Sequence, residues 1–461
     1  MRPTVAIIGG GISGLAAAYE LQARGISFVL LERAPICGGV VRTERIAGYT
    51  IDAGPDALLT LKPAALELCR ELGLSPRLRP QTNRATFVVR NGHLRELPES
   101  AVLGIPTRWW PFVTTRAFSL RGKLRMAAEA FVTPGAGDDE SIASFMERRF
   151  GREAVDYLAE PLLAGIHGGD PARLSMRAAF PRFLDLESTH GSVIAGLRAK
   201  RRLAKSGSPA SPFVALPGGM TELTDTLLSR LRPGSIRTGA IVDSIFESPS
   251  GYLIKTRDGS RIAASCVMLA TPPAATSRLL RSIDPQLAFL CARVRSSSVV
   301  TVALGYPRSA VRHPLNGAGL VVPRTEGLSI RALSWVSSKW SGRAPDDRVL
   351  LRAYVGGTAD PDAIRKSDAD IAAAVQRDVA ALVGATGEPE ITRIYRWPNV
   401  TPQLEVGHGH LMAHIDRMLA AHPGLAVSAS GFRGTGIADC VADAREQARR
   451  IAGRLDVALT A

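Results

Sequence analysis

Three glycines near the start of the chain constrain its fold more than any other feature. Gly9, Gly11 and Gly14 form a G-x-G-x-x-G pattern between an apolar run, Thr4 to Ile8, and an amphipathic helical stretch, Leu15 to Arg24. A strand, a tight glycine turn and a helix in this order are typical of a βαβ unit that brings backbone N–H groups to the pyrophosphate of a dinucleotide. The pattern therefore predicts a Rossmann-like α/β domain that begins at the first strand.

The next strand and the residues after it indicate which dinucleotide is bound. Ser27 to Leu31 ends at Glu32, where a carboxylate would accept hydrogen bonds from an adenosine ribose and would disfavour the 2′-phosphate of NADP. A second glycine-rich loop, Gly38 to Thr43, and the run Asp52 to Asp56 follow. A minimal NAD domain has no place for this second loop, whereas the longer FAD needs a further backbone cradle. We therefore expect FAD as the cofactor.

Two later stretches repeat the order of strand, glycine turn and helix. In the first, Pro217 to Met220 precedes a predicted helix, Thr221 to Leu231, and the second has glycines from Gly431 to Gly436. The predicted elements that accompany them are the hairpin strands Ala240 to Glu247 and Tyr252 to Thr256, the strands Cys266 to Ala270 and Leu425 to Ser428, and the helix Asp439 to Leu455. Related patterns in three separate stretches predict one discontinuous FAD-binding domain.

Two insertions separate these stretches. We divide the chain into a Rossmann-like FAD-binding domain (1–62, 212–279 and 419–461), a mixed-sheet substrate domain (63–94 and 280–418) and a helical, basic insertion (95–211). The FAD-binding domain is of the α/β class, and the fold as a whole is α+β. The substrate domain is expected to hold the strands Val299 to Leu304 and Val349 to Val355 and the helix Asp368 to Val383. The insertion contains Trp109-Trp110-Pro111-Phe112. We expect its basic run to be a solvated loop; the run comprises Arg198, Lys200, Arg201, Arg202 and Lys205.

Composition limits the classes of partner. The chain has 57 Lys and Arg against 42 Asp and Glu, a net charge of +15, which indicates an anionic partner such as nucleic acid, phospholipid or a polycarboxylate. Aromatic residues are only 5%, which is few for a protein that stacks single-stranded bases. The five cysteines have neither disulfide-like nor zinc-like spacing, so we expect reduced thiols and a cytoplasmic protein. No apolar run is long enough to span a bilayer, so membrane contact would be peripheral.

Several longer motifs carry a resemblance to a known family. They include Asp52-Ala-Gly-Pro-Asp-Ala-Leu-Leu, Pro63 to Leu74, Glu160-Pro-Leu-Leu-Ala-Gly-Ile-His-Gly-Gly-Asp170, Leu174 to Pro181, Pro402 to His408 and Gly434 to Cys440. With the N-terminal signature, these motifs resemble the oxygen-dependent porphyrinogen oxidases of haem biosynthesis, a branch of the amine-oxidase-like flavoprotein superfamily. The resemblance extends over essentially the whole chain.

The resemblance implies a set of binding residues. Arg84 matches the position that pairs with a substrate carboxylate, and Gly165 matches a small residue where backbone approaches the tetrapyrrole, although a helix-ending glycine is an alternative. From the residues alone, Val242 and Trp397 could equally be core side chains. The implied FAD contacts are Gly9, Gly10, Gly11, Ile12, Ser13, Gly14, Glu32, Arg33, Gly38, Gly39, Val40, Arg42, Gly54, Pro55, Asp56, Ala57, Val242, Trp397, Gly434, Thr435 and Gly436.

The implied reaction is a six-electron oxidation of a porphyrinogen to a porphyrin, in three steps that pass hydride equivalents to flavin N5, with O₂ reoxidising the flavin. No side chain stands out as a general acid or base. We favour coproporphyrinogen III over protoporphyrinogen IX, because the loop at 52 to 59 resembles that branch of the family and because the basic charge is compatible with four propionates. An amine oxidase or carotenoid desaturase, and a basic nucleic-acid-binding protein that holds a nucleotide, are the alternatives. A homodimer and peripheral contact with an anionic membrane at the inner face of the cell membrane stay open.

Two further features invite other chemistry. His408, His410 and His414 share one segment, but no carboxylate or thiolate accompanies them at a matching spacing, so we expect no metal site. Cys440 follows a glycine turn and could suggest covalent flavin attachment; we expect a buried thiol instead.

Overall fold

A parallel sheet brings together distant parts of the chain. The computed structural model describes residues 4–98, 105, 109–135, 137–203 and 211–460, and within them the sheet has five strands. Their order is Ile236–Arg237, Phe28–Leu31, Val5–Ile8, Cys266–Leu269 and Leu425–Val427. Its central strands are buried along their whole length, as expected of a parallel sheet covered on both faces. This is the expected discontinuous Rossmann-like sheet.

Helices cover one face of this sheet. They are Ile12–Ala23, Ala64–Glu71, Thr221–Arg230 and Ile437–Thr460, and they bury Leu15, Leu223 and Val441 against it. The first helix begins at Ile12 rather than at the expected Leu15. Gly14 therefore lies within its first turn, where a Cβ would come within 1.8 Å of the Gly9 carbonyl oxygen.

The other face is covered by a small sheet and three helices. The expected hairpin has a third strand that the sequence did not indicate, and the three strands are Val242–Ser248, Gly251–Thr256 and Arg261–Ala264. The Asp258-Gly259 turn joins the second strand to the third. The helices are Pro273–Leu280, Pro285–Ala292 and His408–Ala420.

A second, larger sheet is formed by strands from residues 86–96 and 296–402. In the described part of the chain it has seven strands, ordered Ile391–Pro402, Ser296–Pro307, Arg348–Gly356, Ile330–Trp335, Gly319–Val321, Thr86–Arg90 and His93–Glu96. Neighbours are antiparallel except for Gly319–Val321 and Thr86–Arg90. The helix Asp368–Val383, with the bounds expected from the sequence, packs against one face.

Helices from the insertion pack against the other face. Those of six residues or more are Trp109–Thr114, Leu120–Ala127, Ile142–Phe150, Glu160–His167, Pro181–His190 and Val193–Leu203. The expected loop at the basic run is wrong, because Val193 and Leu197 are buried one turn apart and hold Arg198 and Lys200 on the last of these helices. Lys205 and the side chains of Trp109, Pro111, Arg201 and Arg202 lie outside the described residues. In the part of the chain that is described, no helix combines the length and the apolar character that crossing a bilayer requires.

The strand Phe213–Ala215 pairs with both Leu58–Leu59 and Arg79–Pro80, so two stretches that we assigned to the FAD-binding domain and one that we assigned to the substrate domain meet in one small sheet. The domain boundaries themselves stay a prediction.

His422 joins two acidic side chains from different elements. Its Nδ1 lies 2.8 Å from a Glu247 oxygen and its Nε2 lies 3.0 Å from an Asp284 oxygen. Burial disfavours the imidazolium, but the two carboxylates outweigh burial and raise the pKa of His422 above its ordinary value. A raised folded-state pKa stabilises the protein below the ordinary imidazole pKa of about 6.5, and this contribution is lost as pH rises through the folded-state pKa.

We therefore expect His422→Gln to lower Tm by about 1–2 °C at pH 6 and by less at pH 9, because the contribution of the imidazolium declines as pH rises through its folded-state pKa. Differential scanning fluorimetry at both pH values measures the difference. His410→Gln is the control, since the His410 side chain is 79% exposed. Equal losses at the two pH values would contradict the assignment.

Candidate functional site

The first glycine turn leaves open space beside the N-terminus of the helix Ile12–Ala23. Gly9 has φ 109°, a conformation that favours glycine, and a Cβ there would approach the Ala270 oxygen to 2.4 Å. A Cβ on Gly11, in contrast, would meet no atom within 4 Å. Gly11 is also the N-cap residue and no side chain caps this helix, so the N–H groups of the first turn are available to a ligand. Such a terminus fits the pyrophosphate of FAD.

The second glycine loop packs directly on the first. The Gly38 N–H donates to the Gly10 oxygen at 2.8 Å, and a Cβ on Gly39 would lie 3.2 Å from the Gly11 Cα. Val40 then contacts a third segment, because a Cβ on Gly54 would come within 1.9 Å of the Val40 oxygen. The structure thus brings together three segments that we predicted to contact the cofactor.

Glu32 lies at the edge of the same space. Its carboxylate accepts hydrogen bonds from the Gly10 N–H at 2.6 Å and the Ala34 N–H at 2.7 Å. Each oxygen retains a lone pair that a ribose hydroxyl could use. The Ala240 N–H donates to the Glu32 backbone oxygen, so Val242 lies nearby, although it begins its strand rather than occupying the middle as we expected.

Other residues of the predicted cofactor set differ in exposure. Ile12 and Ser13 are buried in the first helical turn, Pro55 and Ala57 are half-buried, and the side chains of Arg33 and Arg42 are exposed. The Cys440 thiol contacts Ser13, and burial raises its pKa to about 12, as expected of a buried thiol rather than a reactive one.

Residues 54–57, which we predict to contact the cofactor and call the cofactor loop, are held from the side of the seven-stranded sheet. The Asp56 carboxylate accepts from Lys339 Nζ at 2.9 Å and Trp340 Nε1 at 3.3 Å, and it lies 3.3 Å from Arg352 Nη2. Burial opposes this charge, but Lys339 and Arg352 hold the pKa of Asp56 well below its usual range. Because the carboxylate is engaged by these three residues, we assign any cofactor contact of Asp56 to its backbone.

The backbone just before this loop is anchored in the same way. The Ala53 oxygen accepts from Trp397 Nε1 at 3.0 Å and from Thr301 Oγ1 at 2.9 Å. Arg352 Nη1 donates to the Asp52 and Gly54 oxygens at 2.5 and 2.9 Å. Trp397, a predicted cofactor contact, therefore lies beside the loop. Sequence reasoning missed Arg352, although a charged residue within the apolar strand Arg348–Gly356 was a signal that could have found it.

The glycine turn before the last helix is occupied by its own chain. The N–H groups of Thr435 and Gly436 point to an Asp439 oxygen at 3.3 and 3.1 Å, and Lys62 pairs with the same carboxylate at 2.7 Å. A Cβ on Gly434 would come within 2.4 Å of the Asp439 Cβ. For these N–H groups to meet a cofactor, as we expected, Asp439 would have to release them.

Gly165 lies inside the helix Glu160–His167, which ends instead at Gly168, so the helix-ending alternative for Gly165 is wrong. A Cβ on Gly165 would lie 2.8 Å from the Ala332 Cβ, which makes glycine necessary for close helix–sheet packing. Ala332 pairs with Tyr354 on the neighbouring strand. Tyr354 accepts a hydrogen bond from Arg352, and burial raises its pKa, so the phenol remains neutral at ordinary pH. Tyr354, which the sequence did not single out, is thus linked through Arg352 to Asp56.

Arg84 is exposed and lies two residues before its strand rather than at the strand's first position. Its neighbours are fixed: the Thr82 N–H donates to the Lys339 oxygen at 3.0 Å, Asn83 Nδ2 donates to the Ser338 oxygen at 2.9 Å, and the Ala85 oxygen accepts from Ala318 at 2.7 Å. The exposed side chain therefore projects from a well-anchored segment.

Two histidines of the segment 408–414 contact other parts of the chain. His408 Nε2 bonds the Phe432 oxygen at 2.7 Å, and His410 lies 3.3 Å from Asp138. Across the described ranges, no three His, Cys, Asp or Glu side chains gather as metal ligands would.

Comparison with known proteins supplies the family. The model of the flavin containing amine oxidoreductases matches residues 12–452. The chain belongs to this family. Among its relatives, the coproporphyrinogen III oxidase of Bacillus subtilis is 36% identical over 95% of both chains. The chloroplastic protoporphyrinogen oxidase 1 of Spinacia oleracea is 28% identical over 96% of this chain and 83% of its own. The solved structure named "Putative protoporphyrinogen oxidase" from Exiguobacterium sp. superimposes with a TM-score of 0.86 at 29% identity, covering 98% of this chain and 99% of that one.

Family membership confirms FAD as the cofactor and makes the chain an FAD-dependent oxidoreductase. The glycine turn and helix N-terminus described above are the groups that would hold the cofactor's pyrophosphate. Membership also disfavours the alternative of a basic nucleic-acid-binding protein.

Proposed function

We propose that this flavoprotein oxidises coproporphyrinogen III to coproporphyrin III in haem biosynthesis, with O₂ as the final oxidant. The observation that carries the proposal is the similarity to a coproporphyrinogen III oxidase along nearly the whole chain. Protoporphyrinogen IX is the second candidate, supported by the more distant plant relative. The net charge of +15 favours the substrate with four propionates over the one with two.

The chain's own contribution to this reaction is to bind, orient and enclose. The bound flavin supplies the redox chemistry by accepting hydride equivalents from the macrocycle. Arg84 would pair with a propionate and so fix one edge of the substrate. Helix Glu160–His167, packed through Gly165 on the sheet that carries Tyr354, would cover the macrocycle and exclude water. We assign no general acid or base.

Turnover of the two purified porphyrinogens tests the proposal. Under air, coproporphyrinogen III should give a growing Soret band and red fluorescence faster than protoporphyrinogen IX does. Faster turnover of protoporphyrinogen IX would transfer the proposal to that substrate. Peroxide release from simple amines, with neither porphyrinogen oxidised, would favour an amine oxidase.

Arg84→Ala should raise KM for the porphyrinogen about tenfold, ~1.4 kcal/mol, because a charge-assisted hydrogen bond to a propionate is lost. Flavin content should not change, since Arg84 lies outside the cofactor turns. Steady-state kinetics and the flavin absorbance of the purified protein measure the two quantities. Arg79→Ala, at another exposed arginine nearby in the chain, should leave KM unchanged. An unaltered KM in the Arg84 variant would remove it from the site.

A patch of exposed apolar side chains supports peripheral membrane contact. The apolar patch comprises Trp110, Val113, Leu120, Leu124 and Phe131, each at least 56% exposed, and Phe131 is 90% exposed. Lys123 Nζ donates to the Val113 oxygen, which ties the helices Trp109–Thr114 and Leu120–Ala127 together. Arg116 and Arg121 are exposed beside these residues. Apolar side chains with basic neighbours suit an anionic lipid surface, and we propose that this patch docks there.

Sedimentation with phosphatidylglycerol vesicles tests the membrane proposal. The protein should bind these vesicles more tightly than phosphatidylcholine vesicles, and Phe131→Ser should reduce binding severalfold. Phe289→Ser is the matched control, because Phe289 is likewise an exposed phenylalanine, at 66%, but lies outside the apolar patch on the helix Pro285–Ala292. Equal losses in both variants would contradict docking through the apolar patch. We also propose a homodimer, which light scattering of the purified protein would test.

A further inference from the structure

One short helix connects the cofactor loop to the segment that carries Arg84. The helix Val336–Lys339 ends at Lys339, whose backbone oxygen accepts from the Thr82 N–H at 3.0 Å. The same residue's Nζ donates to Asp56 in the cofactor loop at 2.9 Å. Lys339 thus bonds the cofactor loop with its side chain and the Arg84 segment with its main chain.

The segment on the Arg84 side is stiff enough to transmit a displacement. Asn83 Nδ2 donates to the Ser338 oxygen at 2.9 Å, and Gln81 Nε2 donates to the Asn83 oxygen at 2.6 Å. Ala318 holds the Ala85 oxygen from the other side at 2.7 Å. A movement of the helix Val336–Lys339 would therefore move the backbone of Arg84 rather than be absorbed by a loose loop.

The link on the cofactor side is shielded from water. The side chains of Lys339 and Asp56 are 16% and 14% exposed, so neither charge can be released to solvent cheaply. Arg352 also pairs with Asp56 and anchors the Asp52 and Gly54 oxygens, which keeps the carboxylate in place. The position of the cofactor loop and the position of Lys339 are consequently interdependent.

We infer that Lys339 is a positioning residue that makes FAD and the porphyrin bind cooperatively. The inference rests on the proposed function, in which residues 54–57 contact FAD and Arg84 contacts a propionate. FAD orders the cofactor loop, the loop fixes Lys339, and Lys339 fixes the segment that presents Arg84. Since coupling between two sites is reciprocal, bound porphyrin must raise the affinity for FAD by the same factor as bound FAD raises the affinity for porphyrin.

Release of FAD from the holoenzyme measures this coupling. Flavin fluorescence is followed after dilution, with and without saturating coproporphyrin III, the fully oxidised product. In the wild type, the porphyrin should slow FAD release at least about fivefold. In Lys339→Met it should slow release less than about twofold, while each ligand still binds, and Lys339→Arg should restore most of the effect. Lys366→Met is the matched control. Lys366 also forms an ion pair, at 2.7 Å with Asp360, but its side chain is 49% exposed.

A second variant covers the case in which Lys339→Met does not fold. Asn83→Ala removes the bond to Ser338 at the opposite end of the link and should also weaken the porphyrin effect, with the Lys339–Asp56 pair intact. If coproporphyrin III slows FAD release from Lys339→Met as much as from the wild type, the inference is overturned. If Lys339→Met does not fold, the same result in Asn83→Ala overturns it. So does a wild type that binds coproporphyrin III without slowing FAD release. A wild type that binds no coproporphyrin III and oxidises no porphyrinogen would instead overturn the proposed function itself, and the inference with it.

Discussion

Gly11→Ala should deprive the protein of its flavin while leaving its fold intact. Gly11 has φ −74° and ψ −177°, which alanine adopts readily, and its added Cβ would meet no protein atom within 4 Å. The methyl group would instead occupy the space from which the pyrophosphate approaches the helix N-terminus. We expect the Kd for FAD to rise at least about a hundredfold, ~2.7 kcal/mol, and the Tm of the flavin-free protein to stay within about 2 °C of the wild type.

Two other glycines provide the comparison. Gly453→Ala, in the helix Ile437–Thr460 with open space around it, should keep its flavin. Gly14→Ala should lose both flavin and stability, because its Cβ would lie 1.8 Å from the Gly9 oxygen. Isothermal titration with FAD and thermal melts of the flavin-free proteins separate these outcomes. A Gly11→Ala protein that purifies with full flavin would place the pyrophosphate elsewhere.

The cofactor half of the fold could be predicted because its signals are local. A strand, a glycine turn and a helix lie within the first 24 residues, and Gly9, Gly11 and Gly14 each have a separate geometric role that only that order satisfies. The helix Asp368–Val383 was predicted to the residue for the same reason. Its Ser367 cap and the glycine that follows it, Gly384, are local signals.

Contacts between distant segments could not be predicted in this way. Asp56 was expected to face the cofactor, yet its carboxylate pairs with Lys339, 283 residues away, and with Arg352 on a strand of the other sheet. No periodicity near Asp56 encodes these partners. The engaged N–H groups of Thr435 and Gly436 likewise depend on where Asp439 points after the helix forms.

Gly165 illustrates a different limit. Its residue type suggests either the approach of a tetrapyrrole or a helix end; the structure excludes the helix end and shows a helix packed on Ala332, and the approach of a tetrapyrrole stays a prediction. Close packing and ligand approach both require glycine, so the residue type alone cannot separate them. The loop expected at the basic run near residue 200 is wrong, because the charges of the run concealed the apolar face that Val193 and Leu197 give the helix.

The second large effect is expected in the helical insertion, where Arg149 is fully buried. Its Nη2 lies 2.6 Å from Glu129 and its Nε lies 3.3 Å from Glu187, whose side chains are 0% and 5% exposed. Arg149 also donates to the Val132 and Gly191 oxygens at 2.6 Å each. The Arg149 guanidinium therefore compensates the buried Glu129 carboxylate and two backbone carbonyls, and it shares Glu187 with Arg148, whose Nη1 lies 2.6 Å from that carboxylate.

Arg149→Met should lower the free energy of unfolding by about 3–5 kcal/mol, because the Glu129 carboxylate would remain buried without the cation that pairs with it, whereas Glu187 keeps its pair with Arg148. Arg152→Met should change it by less than about 1 kcal/mol, since Arg152 is 69% exposed and its pair with Asp156 is open to water. Denaturant unfolding gives the free energies, and hydrogen exchange over the helices Ile142–Phe150 and Pro181–His190 shows where the loss lies. Adding Glu129→Gln to Arg149→Met should recover part of the loss, because one uncompensated charge is removed. If Arg149→Met changes the free energy of unfolding as little as Arg152→Met does, the buried ion pairs contribute little to the stability of the insertion. The apolar contacts of Phe145 and Phe183 must then stabilise it instead.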